Sequence, residues 1–547
     1  MLGSVGLVSP MAASAAPGCP SADWAEYGQN PNRTFAVAAG CSPITKSNVS
    51  TLVPKWFFHA KDSITASPAV SGNTVYVGAW DGSFYALDAA TGKPRWTFAI
   101  TATNPTAFGK IPSSANVVSL PDAATGKPRR VVLFGGGSSL WALDAATGHL
   151  LATIDLDPRT PALRAKQASD APVVEIESSP VVADVKAGRL RKRLIYVGMD
   201  VHNHAGVGPA GVVGLQLRSG RDGRWTFTAL WRHDPETDRV YNGTAGLTAA
   251  SGQDQGCGDV WSSPAVDVAT NEVVFGTANC DHVSEARAAG HHWSEAMVAV
   301  RADTGALVWR FAPAAALPTR VDQDAAANSD VDFGASANIF TLPNGRRVVG
   351  EGQKSAVYWV RDIRTGAPVW NTVAGAPGNL QDGFAVGGFI GSTAVEPGAN
   401  GRARRVVGAT AIPFPQTAQQ VRQATWAVRG LDAQTGRLSW TYKLGGPSYA
   451  ATSIVNGVAL VPDTVPSALL AIDADTGAPL WAAPVIGPPS STAVVAGDSV
   501  YLGTGTRETD LEYKAVGLTL QKSFINAVGE SPLSPLSGVQ AFRLAVH

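Results

Sequence analysis

Short runs of alternating apolar and polar residues, separated by tight turns, recur along the whole chain. In YALDAATGKPRW (residues 85–96), the alternating run ends at an Asp-x-x-Thr-Gly turn, and a tryptophan follows four residues after the glycine. Alternation with a period of two indicates half-buried β-strands, and Asp and Gly are favoured in turns because Asp accepts N–H bonds and Gly tolerates positive φ. The related segments are WALDAATGHLLA, VGLQLRSGRDGRW, VAVRADTGALVW, WVRDIRTGAPVW, RGLDAQTGRLSW and LAIDADTGAPLW.

The tryptophans after these turns are predicted to begin the next strand and pack on the neighbouring repeat. Five keep the same spacing: Trp96, Trp309, Trp370, Trp440 and Trp481. Trp225 arrives one residue late, and Ala152 replaces the tryptophan in the second repeat. We interpret these side chains as structural, because a large apolar ring at a repeated position suits packing between units.

A second series of short apolar strands begins with small polar residues. Its eight members are ASPAV, SSANVV, SSPVV, SSPAV, ASANIF, GSTAV, ATSIV and SSTAVV. Small residues fit where several strands crowd a central axis, so the series predicts the innermost strands of eight propeller blades.

The two series differ in number, since only seven Thr-Gly-type turns accompany eight inner strands. The last repeat ends at GVQAFRLAVH without the turn, and its missing outer strand is predicted in LVPKWFF, residues 52–58. Pairing of this strand with residues 538–545 would close the ring and remove exposed sheet edges. The sequence therefore predicts an all-β protein, a single eight-bladed β-propeller over residues 18–547, closed by an N-terminal strand.

The amino-acid composition limits the kinds of partner that the protein is expected to bind. Charged residues make up 16% of the chain, with 43 basic and 43 acidic side chains, while 58 glycines and 36 prolines suit a turn-rich β protein. The neutral balance argues against a nucleic-acid partner, which favours a basic face. The sequence has no run of eighteen apolar residues, so we expect no membrane span.

Residues 1–17 are small and apolar, with an A-x-A-like site near Ala13–Ala16. They resemble the remnant of a secretory signal peptide, with a disordered leader as the alternative. The first interpretation predicts a secreted or periplasmic, cell-envelope protein, in which disulfides are stable. Four cysteines allow three pairings. The favoured one joins Cys19 to Cys41 and Cys257 to Cys280, because the second pair flanks a hairpin that brings its own ends together.

The spacing between inner strands is longest between residues 178 and 336. Loops at one end of a rigid propeller are where a functional site would be built. The insertions contain MDVHNHAGVG, DQGCGDVW, TANCDHV and DQDAAANSDVDFGAS.

The opening segment DWAEYGQNPNRTFAVAAGCSPITKSNVSTLVPKWFF resembles that of the quinoprotein alcohol dehydrogenases, which depend on pyrroloquinoline quinone (PQQ). Their eight-bladed propellers hold PQQ and a calcium ion on the axis. The resemblance covers nearly the whole chain, with the polyvinyl-alcohol dehydrogenases as the nearest branch. It implies an exported enzyme that oxidises alcohols, secondary ones such as polyvinyl alcohol or a related hydroxylated compound, by hydride transfer to the quinone.

The same resemblance implies roles for individual residues. In DVWSSPAVDVATNEVVFGTAN it implies Trp261 as the flat platform under the quinone and Asn279 as a calcium ligand. In NSDVDFGAS it implies Asp332 as catalytic base and calcium ligand, with Asp330 as an auxiliary residue. In RVVGEGQKSAVYWVRD it implies Lys354 as the cation that binds the quinone's carbonyl oxygens.

Other assignments complete this expected site. Lys110 and Ser179 are further candidates for binding the cofactor. The loop GMDVHNHAG offers Asp200 and Asn203 as the remaining calcium ligands. Its His202-x-His204 pair would instead suit a transition metal.

The chain also departs from the family pattern. It has no adjacent-cysteine pair in TATNPTAFGKIPSSANV, and Thr65 stands where the family has a glutamate. It has no C-x-x-C-H haem-attachment motif, so electrons would leave through a separate acceptor. The alternative hypothesis is a non-catalytic propeller that binds protein or glycan. Such a scaffold would not need Trp261, Asn279, Asp332 and Lys354 to meet at one channel mouth.

Overall fold

The computed structural model describes most of the chain, and every structural statement below concerns the described residues. These are residues 19, 23–101, 109–157, 174–200, 210–244, 258–278, 293–313, 332–375, 388–398, 400–410, 426–446, 448–464, 466–505 and 536–545. Residues 1–17, Asp330, Asn279, Asn203, His202, His204, Cys257 and Cys280 lie outside them, so the predictions made for these residues stay predictions.

The alternating segments form eight antiparallel sheets that are the blades of a propeller, as predicted. A short 3-10 turn, Val49–Thr51, precedes the first strand. Blade one contains β2 (Ala69–Ser71), β3 (Thr74–Gly78), β4 (Ser83–Asp88) and β5 (Pro94–Ala99); blade two β6 (Asn116–Pro121), β7 (Pro128–Gly136), β8 (Ser139–Asp144) and β9 (Leu150–Asp155); blade three β10 (Val181–Ala187), β11 (Leu190–Met199), β12 (Gly211–Ser219), β13 (Trp225–Asp234) and β14 (Arg239–Asn242); blade four β15 (Ala265–Asp267), β16 (Glu272–Gly276), β17 (Met297–Arg301) and β18 (Leu307–Phe311). Blade five contains β19 (Asn338–Thr341), β20 (Arg347–Gly352), β21 (Val357–Asp362) and β22 (Pro368–Val373); blade six β23 (Ala394–Pro397), β24 (Ala403–Thr410), β25 (Ala427–Asp432) and β26 (Leu438–Lys443); blade seven β27 (Ser453–Val455), β28 (Val458–Asp463), β29 (Ala468–Asp473) and β30 (Pro479–Pro484); blade eight β31 (Val494–Ala496), β32 (Ser499–Thr504), β33 (Gly538–Leu544) and β1 (Leu52–His59).

The first and last of the described strands meet in blade eight. Strand β1 pairs antiparallel with β33, from Leu52 opposite Leu544 to His59 opposite Gly538. Strand β33 in turn pairs with β32. The predicted ring closure by an N-terminal strand is therefore confirmed, and it removes the free edge that the last blade would otherwise present.

The outer tryptophans join consecutive blades by a repeated contact. Trp56 Nε1 donates to the carbonyl oxygen of Ala89 at 3.1 Å. Its ring covers Gly92, where an added Cβ would lie 2.7 Å from the indole and where φ is +72°. Glycine is thus required at this turn both by backbone conformation and by the ring above it. The same indole-to-carbonyl bond joins Trp96 to Ala145, Trp309 to Ile363, Trp370 to Ala433 and Trp440 to Ala474.

Blade three corrects one prediction about these tryptophans. Trp231, not Trp225, lies opposite the middle of β12, at Gly214, and covers the turn glycine Gly305 of blade four. Trp225 lies opposite Ser219 at the start of β13. The reason is that β13 continues for ten residues, so the position that faces the next blade comes later in the strand.

An N-terminal segment, residues 24–37, crosses one end of the central channel and bonds to successive blades. Its bridges and backbone hydrogen bonds join Trp24 to Val70, Ala25 to Val117, Pro31 to Val266, Asn32 to Ile339, Thr34 to Val395 and Phe35 to Ile454. The predicted Cys19–Cys41 disulfide is present and joins residues on either side of this segment. Within the described residues, no helix has the length and apolar character that a membrane crossing requires.

Candidate active site

The inner strands begin with hydroxyl side chains that form a ring around the axis. In this hydroxyl ring, the backbone N–H of one residue donates to the hydroxyl oxygen of the next blade. The bonds run from Thr492 to Ser67 (3.1 Å), Ser67 to Ser114 (2.8 Å), Ser114 to Ser179 (3.0 Å), Ser179 to Ser263 (2.8 Å), Ser263 to Ser336 (3.0 Å) and Ser336 to Ser392 (2.9 Å). Blade seven has Ala451 at this position. The small polar residues noted in the sequence are thus needed as acceptors for buried N–H groups.

A cavity of about 130 Å³ lies inside the hydroxyl ring. Tyr27 of the N-terminal segment lines it and shares a hydrogen bond with the hydroxyl of Ser392 at 3.1 Å. Each blade also contributes the residue two positions before its ring residue, and this set includes Glu177, Trp261 and Tyr449. Most of the lining is therefore polar, with one large indole on the wall of blade four.

Trp261, Asp332 and Lys354 meet beside this cavity. Trp261 Nε1 donates to Asp332 Oδ2 at 3.1 Å, and Lys354 Nζ lies 3.0 Å from the same oxygen. The ammonium is also 5.5 Å from the centre of the Trp261 ring. Asp332 and Lys354 are 3% and 7% exposed, whereas Trp261 is only partly buried. Two donors on one oxygen fix the carboxylate's orientation, as a catalytic group requires.

The backbone around this group has little freedom. Gly334 lies against Trp261, where an added Cβ would be 2.9 Å from the ring. The N–H of Lys354 donates to the carbonyl oxygen of Asp332 at 2.9 Å. An added Cβ at Gly388 would lie 2.2 Å from the Lys354 carbonyl oxygen, so only glycine fits there. The turn that carries Lys354 is therefore locked between two neighbouring segments.

A second carboxyl group, that of Glu351, lies behind the site. Glu351 is completely buried and its carboxylate approaches Gly276. Burial raises the pKa of Glu351 well above its usual range, although the Gly276 N–H acts in the opposite direction. The direction of this shift follows from burial, because a charged carboxylate is poorly solvated there.

Glu177 is a site residue that the sequence interpretation missed. It lines the cavity with Trp261, two residues before the ring residue Ser179. Trp261 stands in the same position before Ser263, so the register of the inner strands was the signal that could have found it. The sequence interpretation instead assigned the remaining calcium ligands to the following loop, at Asp200 and Asn203.

The remaining predicted residues lie in different surroundings. Asp200 is buried, and its backbone pairs with that of Glu175 by bonds of 2.7 and 3.1 Å. Lys110 is exposed, and neither residue lines the cavity. Ser179 belongs to the hydroxyl ring. Thr65 lines the cavity and accepts a bond from Trp80 Nε1 at 2.9 Å.

The described residues fit the groups that the sequence implied. The face of Trp261 suits a planar ring system. The carboxylates of Glu177 and Asp332 are oxygen donors of the kind that calcium prefers. A cluster of three or more His, Cys, Asp or Glu side chains with metal-binding geometry is absent from the described residues. A calcium site would therefore need neutral oxygen donors as well, of which Asn279 is the sequence candidate.

Comparison with protein families gives two matches. Residues 24–376 match the family described as "PQQ: Glucose/ethanol/alcohol dehydrogenase, beta-propeller domain". Residues 294–502 match the model of the outer membrane protein assembly factor BamB.

Two polyvinylalcohol dehydrogenases are similar in sequence. The protein from Pseudomonas sp is 25% identical over 346 residues, which are 60% of this chain and 47% of that protein. The protein from Sphingopyxis sp. (strain 113P3) is 23% identical over 423 residues, which are 72% of this chain and 55% of that protein. The chain spans about half the length of these relatives.

Two solved structures share the fold. A europium-containing methanol dehydrogenase superposes with a TM-score of 0.65 at 16% identity, covering 95% of this chain and 98% of its own. The quinohemoprotein alcohol dehydrogenase ADHIIG from Pseudomonas putida HK5 also gives 0.65 at 16% identity, covering 96% and 80%. At this identity the likeness establishes the propeller and its blade order.

Proposed function

Because the chain belongs to the PQQ glucose/ethanol/alcohol dehydrogenase β-propeller family, whose model matches residues 24–376, we propose that it is a PQQ-dependent dehydrogenase of alcohols. The observation that carries the proposal is the contact of Trp261, which lines the cavity, with Asp332 and Lys354. These residues come from two blades and from separate segments of the chain. A non-catalytic scaffold would have no need to bring them together.

Asp332 is the proposed proton acceptor. When bound, PQQ supplies the acceptor for hydride from the alcohol carbon, and calcium supplies electrostatic polarisation. The carboxylate of Asp332 then takes the proton of the alcohol hydroxyl, as a general base. The bonds from Trp261 and Lys354 to Oδ2 hold this carboxylate in one orientation. Its low exposure limits competition from bulk water.

Trp261 and Lys354 are the proposed cofactor-binding residues. The partly exposed indole offers an apolar face for a flat ring system. The Lys354 ammonium lies 5.5 Å from the centre of that ring and would donate hydrogen bonds to the carbonyl oxygens of a bound quinone. Ser179 contributes through the hydroxyl ring, whereas the exposed side chain of Lys110 gives it less support as a cofactor ligand.

For calcium, we propose Glu177 and Asp332 as the anionic ligands, with Asn279 as a neutral donor. Glu177 is favoured over Asp200 because it lines the same cavity as Trp261, and Trp261 bonds directly to Asp332. Calcium accepts six to eight oxygen ligands, so Asn203 and the cofactor itself are further donors in this proposal.

The finer features of the function are also part of the proposal. Both curated relatives are polyvinylalcohol dehydrogenases, which favours secondary alcohols such as polyvinyl alcohol as substrates. The small, apolar N-terminal sequence favours export to the cell envelope or beyond. The chain has no haem-attachment motif, so the proposal includes a separate electron acceptor.

Titration of the purified apoprotein with PQQ in the presence of Ca²⁺ tests the proposal. We expect saturable changes in quinone absorbance, followed by oxidation of secondary alcohols with an artificial electron acceptor. Trp261→Ala should weaken quinone binding, whereas Trp309→Ala, in the same blade but directed at the turn of blade five, should not. If the wild type shows neither quinone binding nor alcohol oxidation, the proposal is rejected and the scaffold hypothesis replaces it.

A further inference from the structure

Arg33 is a completely buried arginine in the N-terminal segment that crosses the channel. Its Nε donates to the carbonyl oxygen of Pro264 at 3.0 Å, and its Nη2 to that of Ser179 at 3.0 Å. Its Nη1 donates to the carbonyl oxygen of Tyr27. A buried charge is tolerated only when its hydrogen-bonding groups are satisfied, and these three carbonyl groups satisfy the guanidinium.

The carbonyl groups, not an ion pair, dominate the surroundings of Arg33. Among the described residues, Arg33 pairs with the carboxylate of Glu26 at an N–O distance of 3.6 Å. Burial raises the pKa of Glu26 to about 7, although the charge of Arg33 lowers it. The hydrogen bonds of the guanidinium go to three backbone carbonyl groups, whereas the Glu26 carboxylate lies farther away.

The contacts of Arg33 lie directly beside the candidate site. Ser179 is a member of the hydroxyl ring and follows Glu177 by two residues, while Pro264 follows Trp261 by three. One planar guanidinium therefore links the walls of blades three and four. Because its donors are fixed in a fork, the group sets the separation of the two carbonyl oxygens as well as binding them.

The backbone around Arg33 is adapted to this position. Arg33 has a φ of +54°, a conformation that non-glycine residues rarely adopt. At Gly28, with a φ of +70°, an added Cβ would lie 2.8 Å from the Arg33 side chain. The carbonyl oxygen of Arg33 accepts a bond from Asn338 in blade five. A backbone conformation that is unfavourable by itself persists where the surrounding contacts hold it in place, as these contacts do at Arg33.

We propose that Arg33 is a positioning residue that fixes the spacing of blades three and four and thereby orients Trp261 toward the cofactor. The cofactor part of this inference rests on the proposed function, whereas the spacing of the two walls does not. The competing explanation is that Arg33 only fastens the N-terminal segment to the ring.

Two variants separate these explanations. Arg33→Lys keeps the positive charge but lacks the fork that reaches both Ser179 and Pro264. Asn456→Ala is the matched control, because Asn456 fastens the same end of the chain to blade seven through bonds to Gly40, Ser42 and Ile44. It therefore loosens the N-terminal region by a similar number of bonds far from blades three and four.

The first measurement is hydrogen exchange of peptides that contain Ser179, whose N–H donates to the Ser263 hydroxyl. In the apoprotein we expect exchange at Ser179 to accelerate at least tenfold in Arg33→Lys and to stay unchanged in Asn456→Ala. The second is the PQQ affinity in the presence of Ca²⁺. Loss of a residue that supports the ligands of a metal site weakens metal binding by about 10–100-fold. By analogy we expect a PQQ affinity loss in this range for Arg33→Lys and of less than about twofold for Asn456→Ala.

Unchanged exchange at Ser179 in Arg33→Lys, or equal effects of the two variants, would overturn the inference. If the wild type does not bind PQQ, the proposed function fails, and the exchange measurement still decides whether Arg33 sets the spacing of the two walls. If the wild type and Arg33→Lys bind PQQ equally well, the proposed function stands and the positioning role of Arg33 is rejected.

Discussion

Single and double mutations of the Asp332–Lys354 pair can separate the effect of these residues on protein stability from their effect on enzymatic turnover. The two groups lie 3.0 Å apart and are 3% and 7% exposed. In Asp332→Asn the Lys354 ammonium stays buried opposite a neutral amide, and breaking a buried pair in this way costs about 3–5 kcal/mol. In the double variant Asp332→Asn/Lys354→Met both charges are gone, and the amide oxygen can still accept the bond from Trp261.

We therefore expect the double variant to recover most of the stability, to within about 1 kcal/mol of the wild type, since neutral replacements of buried pairs are often nearly neutral. Urea unfolding of the wild type, both single variants and the double variant at pH 7 gives the coupling energy. We expect it to be at least about 2–4 kcal/mol, which is the loss in Asp332→Asn less the loss in the double variant, before the loss in Lys354→Met is added. Turnover should not recover, because general-base catalysis contributes about 10²–10⁴-fold.

Two results would refute this reasoning. Single-variant losses that simply add in the double variant would show that Asp332 and Lys354 are not coupled. An Asp332→Asn protein with wild-type turnover would show that Asp332 is not the base, whatever its stability.

Three further changes test the ring and its interior. Trp56→Ala should lower the free energy of unfolding by about 2–4 kcal/mol, which is below the range for a fully buried tryptophan because Trp56 is only partly buried. Chemical denaturation should show a similar loss of stability for Trp96→Ala. A loss in Trp96→Ala without one in Trp56→Ala would contradict ring closure by β1. Ala451→Ser should complete the hydroxyl ring in blade seven and stabilise the protein by about 1 kcal/mol, which would raise the melting temperature. A lower melting temperature for this variant would count against the hydroxyl ring as described. Burial raises the pKa of Asp463 from 3.8 to about 7, so the native state binds the proton more tightly than the unfolded state; this contribution is complete below about pH 4 and is lost as pH rises through about 7. Relative to Asp463→Asn, the wild type should lose on the order of 3–4 kcal/mol between pH 4 and pH 8 in urea titrations, and parallel pH profiles would contradict the assignment.

Local sequence patterns determined the architecture. Strand alternation, the Asp-x-x-Thr-Gly turns and the small starts of the inner strands are encoded within a few residues, so the blades could be counted along the chain. The missing eighth turn then indicated that residues 52–58 complete the last blade, and the pairing of β1 with β33 agrees. Such patterns report backbone conformation and which face is buried, and these were sufficient for the fold.

The family resemblance indicated some site residues, but the tertiary structure decided which side chains converge. It brings Trp261, Asp332 and Lys354 together and adds Glu177, which lines the same cavity as Trp261. Asp200 and Lys110 lie outside that lining, as Asp332 and Lys354 do. The register of the inner strands could have revealed Glu177. That inference requires knowing that the residue two positions before each hydroxyl-ring residue lines the cavity.

Arg33 and Trp231 show the physical reason for this limit. Arg33 bonds to Ser179 and Pro264, which are 146 and 231 residues away in the chain, and Trp231 faces blade four only because β13 is longer than its counterparts. Contacts of this kind depend on how strands are placed around a closed ring. No local pattern encodes that placement, so it becomes visible only when the chain is folded.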